Sequence, residues 1–135
     1  MKTNKTKLLA AVIGFVALTI AASGFADDGN AKRGRVYFKM VCTACHMATA
    51  GKTISPNTLT MEQWSTYFKA NKHDKTGDTK PTVSYYMGID YRESIKDTNR
   101  AAKKFLTVPE EQIYNDVLAF SVSGAKDSDT PASCE

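Results

Sequence analysis

The chain has 135 residues, 42% of them hydrophobic and 24% charged, with a formal net charge of +4 and three cysteines. That is enough sequence for one small domain, and it holds no internal repeat and no low-complexity tract. Lys2, Lys5 and Lys7 stand without an acid among them, so the charge falls from +4 to +1 once the N-terminal stretch is set aside, and a nucleic-acid role has no support.

That N-terminal stretch reads as a secretory signal peptide over residues 1–26. The lysines precede an almost wholly apolar run from Leu8 to Ile20, and small residues then lead to Gly24-Phe25-Ala26, with cleavage expected after Ala26. The apolar run is too short for a comfortable membrane span of about 20 residues, so the mature form is expected to have no membrane span. A periplasmic or extracellular location follows.

Residues 27–124 read as one domain. After polar starter residues, Ala31 to Val41 is expected to be helical, with Gly34, Tyr37, Phe38 and Val41 at helical spacings. Gly34 costs about 1 kcal/mol relative to alanine inside a helix, which a close approach by another element would justify. The helix runs into Cys42-Thr43-Ala44-Cys45-His46. A C-x-x-C-H pentapeptide behind an export signal reads as a covalent haem attachment site: Cys42 and Cys45 bond one haem c, and His46 is the proximal ligand of its iron. Two other uses of the cysteines fit less well. A zinc site needs four nitrogen or sulfur ligands, with only His73 and Cys134 left to complete one. A thioredoxin-like redox pair needs a strand–helix setting that this helical pattern lacks.

Met47 to Thr58 is predicted to be a loop, marked by Gly51 and Ser55-Pro56-Asn57. Thr60 and Gln63 form a capping-box pattern, and Met61, Trp64 and Phe68 make one apolar stripe of a helix ending near Asn71. Lys72 to Lys80 is a loop by composition, and Val83 to Tyr91 is too short and mixed to assign. Arg92 to Leu106 is predicted as a helix with a basic side. Thr107-Val108-Pro109-Glu110 opens the last one, which fades by Gly124. Residues 125–135 form a polar tail expected to lie along the surface. Its Cys134 is left over once haem takes the other two thiols, and it is either a free thiol or the contact of a disulfide dimer or assembly.

With these elements placed, the chain resembles the class I-type c-type cytochromes over most of the domain. The resemblance implies an all-α fold, a small cytochrome c-like helical domain wrapped around one covalent haem. Gly34 and Phe38 match the small residue and aromatic that cross an aromatic of the last helix in that family, here Phe120. Pro56 resembles the loop proline whose carbonyl receives the proximal histidine's second N–H. Pro56, Trp64 and Phe68 are thus expected to support the haem pocket.

The distal ligand lies between two candidates. Met87 follows the middle helix as the family's methionine does, though with a longer gap before the last helix. His73 is the only histidine besides His46, and it is favoured because neutral imidazole binds iron more strongly. The function expected is electron transfer between redox protein partners, with iron cycling between ferric and ferrous, and no enzymatic activity. A haem-based gas sensor with an open distal site, or a haem subunit of a larger redox assembly, are the alternatives.

Overall fold

The first and last helices cross where Gly34 removes the side chain that would keep them apart. The computed structural model describes residues 29–51, 53–73 and 82–134, all helix, turn and coil with no strand among them; the expected signal peptide lies outside the described residues. Helix α1 (Ala31–Tyr37) is capped by Asn30, whose side chain accepts from Arg33 N. It packs against α6 (Glu110–Ser123). A Cβ at Gly34 would stand 1.9 Å from the Asp116 carbonyl oxygen, closer than any real contact. One turn on, the rings of Phe38 and Phe120 meet edge to face at 5.5 Å and 72°. The sterically costly glycine and the two aromatics therefore take the places expected of them.

A clamp that composition did not reveal fixes this crossing. Asp116 is wholly buried on α6 and reaches the start of α1. Its carboxylate accepts from the Asn30 backbone N–H at 2.7 Å and from both Nε and Nη2 of Arg33. Negative charge at a helix N-terminus is favourable, and the guanidinium completes the pairing. Asp116→Asn keeps the shape but removes the charge, and is expected to cost about 2 kcal/mol, seen as a lower urea midpoint at unchanged slope.

The helix does not stop at the cysteines. A π-type turn over Phe38–Cys42 joins α1 to α2 (Thr43–Ala50), and the chain leaves α2 only at Gly51, with φ +62°. The loop expected from Met47 thus begins four residues later, because Met47-Ala48-Thr49-Ala50 carries no breaker before that glycine. Helix α3 (Met61–Ala70) follows its predicted bounds closely. Both halves of the Thr60–Gln63 capping box form, and Asn71 ends the helix in the left-handed region at φ 49°.

The predicted helix from Arg92 to Leu106 is two helices and a turn. Helix α4 (Ile89–Ile95) ends before Asp97-Thr98-Asn99, residues that favour turns and caps, and α5 (Arg100–Lys104) restarts from Asn99. The Asn99 side chain accepts from Ala101 N and Ala102 N and donates to the Met40 carbonyl at 2.7 Å, tying α5 to the π-type turn. Arg92 is fully buried, and among the described residues it forms no ion pair with an acid. It donates to the carbonyls of Gly88, Phe105 and Val108, serving backbone groups that the short helices leave open.

The tail runs over the surface, with most of residues 126–133 exposed, and hydrogen bonds tie it to the fold at several points. Ala132 accepts from Asn57 N and donates to the Gly124 carbonyl, Lys126 N bonds to Leu59 O, and Asp127 receives Met61 N at 2.8 Å. Cys134 is buried, with its N–H on Ser55 Oγ at 2.9 Å, and burial raises its thiol pKa above the usual value. Of the two fates expected for this thiol, the structure favours the free one. The mature protein is expected to run as a monomer on a non-reducing gel, with Cys134 reacting with a thiol reagent only after unfolding; a dimer lost in Cys134→Ser would reverse this.

Candidate functional site

The continuous helix from α1 to α2 places Cys42, Cys45 and His46 on one side, one turn apart, as the i, i+3, i+4 spacing requires. Facing them are His73, just past the end of α3, and Tyr86 and Tyr91, from the short Ser84–Met87 turn and the start of α4. Together with Val41 these residues line a partly open recess of about 40 Å³. That is well below the roughly 300–1,000 Å³ of small-molecule sites, so a group as large as a haem would have to part the recess walls.

The two imidazoles stand opposite one another. Their ring centroids are 5.7 Å apart and their planes 77° to each other. Two imidazoles sharing one metal ion at bonds of about 2 Å have centroids about 6 Å apart, so the spacing suits a shared iron. The walls are apolar and aromatic. Tyr86 lies 4.7 Å from His73 and 5.0 Å from Tyr91, and Tyr85 closes the fan at 5.2 Å from Tyr86.

Electrostatics at the cysteines weigh against thiol redox chemistry. Burial, with Cys45 adding to it, pushes the Cys42 thiol up to about 12; a redox-active pair needs a thiol lowered towards neutrality. Burial also raises the Tyr91 phenol, and Cys45, with which it shares a hydrogen bond, raises it further. Among the described residues no group of three or more His, Cys, Asp or Glu is arranged to hold a bare metal ion. The donor set instead suits a haem: two thiols for covalent bonds, two imidazoles for the iron, and aromatic walls for the macrocycle.

The structure separates the predicted distal ligands. His73 lines the recess, whereas Met87 is buried in the hydrophobic core and is not among the lining residues. Pro56, Trp64 and Phe68, expected to support the pocket, are not among the residues that line the recess. The Pro56 carbonyl accepts the Trp64 indole N–H at 2.6 Å, and the Trp64 ring packs between Phe38 and Phe68. Sequence reasoning left Tyr86 and Tyr91 without a role. Their signal was the run of tyrosines beside an unassigned segment, which only the loop closure after His73 turns into a wall. That closure is set by Asn71, whose side chain accepts from Ser84 N at 2.8 Å and donates to Ser84 Oγ at 2.9 Å.

None of the described helices is long and apolar enough to cross a membrane. No protein-family model, curated protein or solved structure matches the chain.

Proposed function

We propose that the chain is an exported, single-haem c-type cytochrome of cytochrome c-like fold that carries electrons between redox proteins. The observation that carries this reading is the recess in which Cys42, Cys45 and His46 face His73, with the imidazoles 5.7 Å apart. The glycine-mediated crossing of α1 and α6, with Phe38 on Phe120, supports the fold assignment.

In this reading Cys42 and Cys45 would hold the cofactor through two thioether bonds, and His46 and His73 would bind its iron. Bound there, haem supplies a one-electron ferric/ferrous couple. The chain's own part would be to keep both imidazoles beside the iron. Val41, Tyr86 and Tyr91 supply the apolar wall, and two imidazoles hold the potential below that of a histidine–methionine pair. A second consequence is kinetic: side chains already in place on both faces leave little to rearrange when the electron moves.

Expression of the full chain in a host that attaches haem outside the cytoplasm tests the reading. One covalent haem per chain is expected by mass and by the pyridine haemochrome spectrum. The Cys42→Ala/Cys45→Ala double variant is expected to carry none. Wild-type protein recovered folded and without covalent haem would end the proposal.

A further inference from the structure

We propose that Tyr37 is a positioning residue for the distal face, so that the helix carrying His46 also sets how firmly His73 is held; this rests on the haem reading above. Tyr37 lies on α1 and is fully buried. A buried phenol needs a hydrogen-bond partner, and its hydroxyl donates to the Tyr86 backbone carbonyl at 2.6 Å. The ring is fixed separately, edge to face on Phe105 at 5.2 Å and 87°. Tyr37 therefore grips the backbone of the residue whose own ring stacks on His73 at 4.7 Å.

The grip matters because it acts in the middle of the distal segment, between Val83 and Met87, which are buried in the core, and Ile89, whose N–H donates to Glu110 Oε1 at 2.9 Å. Upstream, Asn71 ties Ser84 through two hydrogen bonds. Downstream, Arg92 Nε donates to the Gly88 carbonyl at 3.2 Å. Between them, the Tyr37 hydroxyl is what reaches the segment at Tyr86 from α1. Without it the Tyr86 carbonyl loses a buried donor, its backbone gains freedom, and the stacked ring that confines His73 moves with it.

The test uses holoprotein and reads the rate at which the ferrous form takes up carbon monoxide, which is set by how often His73 leaves the iron. Tyr37→Phe keeps the ring and removes the hydroxyl, and is expected to speed uptake about tenfold with haem content unchanged. Tyr86→Leu keeps the backbone carbonyl but removes the stacked ring, and is expected to speed uptake likewise. Phe105→Leu loosens the packing of Tyr37 while sparing its hydroxyl, so it is expected to lower the denaturation midpoint and leave uptake within about twofold of the parent.

A Tyr37→Phe holoprotein with uptake within about twofold of the parent overturns the assignment. If that variant does not accumulate, Tyr86→Leu decides alone, and unchanged uptake overturns it equally. A wild-type chain without covalent haem overturns both this inference and the function beneath it, whereas haem-loaded variants with parental rates remove the inference only.

Discussion

On the haem reading proposed above, His73→Ala is expected to convert a closed, six-coordinate protein into one that binds carbon monoxide rapidly and stoichiometrically in the ferrous state. If His73 occupies the iron more than about 99% of the time, its removal raises apparent affinity for an exogenous ligand about a hundredfold, because the competent fraction goes from minor to complete. Among the described residues no obvious substitute stands at the recess: Met87 is only 3% exposed within the core, and Tyr86 and Tyr91 are the other side chains on that wall. The low-spin spectrum should give way to a high-spin one, and stopped-flow mixing with carbon monoxide measures the gain. A variant that stays low-spin and binds carbon monoxide as slowly as the parent would move the distal role to Met87. A higher potential, as histidine–methionine ligation gives, would accompany that outcome in the parent protein.

The proximal half of this site was legible in the sequence because a local rule governs it. Two thiols and an imidazole at fixed spacing on one helix face one way regardless of the rest of the fold. The α1–α6 crossing was legible for a similar reason, since a glycine amid good helix formers needs a close neighbour to justify it. The distal half follows from tertiary closure. His73 faces the recess because Asn71 leaves the helix in the left-handed region and pins Ser84, folding the tyrosines back over it. Neither step has a periodic signature.

The buried charges were hidden for a different physical reason. Asp116 and Arg92 sit on helices whose polar positions read as solvent-facing, and their burial is tolerable only through partners remote in sequence. For Asp116 these are Asn30 and Arg33; for Arg92 they are carbonyls at two other helix ends. The tethering of the tail follows the same logic. Residues 125–134 are polar in composition, yet their backbone groups find partners around Ser55–Met61, and Ala125 and Cys134 are buried there. Composition reports the side chains and says little about where a polar backbone finds its hydrogen bonds.

Gly34→Ala is expected to be the most damaging single-methyl change in the protein, at about 2–4 kcal/mol. In isolation alanine favours the helix by about 1 kcal/mol, so the sign of the effect depends on the crossing. The added Cβ would fall 1.9 Å from the Asp116 carbonyl oxygen and 2.4 Å from its carbon. These are backbone atoms inside α6 and cannot turn aside as a side-chain tip could. Relief requires the two helices to separate, which loosens the Phe38–Phe120 contact and stretches the Asn30 and Arg33 bonds to Asp116 together. Against a typical domain stability of about 5–15 kcal/mol, that is a large share. Gly51→Ala is the control: at φ +62° and with nothing within 4 Å, it meets only left-handed backbone strain of about 1–2 kcal/mol. Urea denaturation followed by far-ultraviolet circular dichroism compares them, and Gly34→Ala should show the lower midpoint. Near-parental stability in Gly34→Ala would mean that α1 and α6 do not approach as closely as their backbones indicate, and the helix that leads into Cys42, Cys45 and His46 would then lack its principal support.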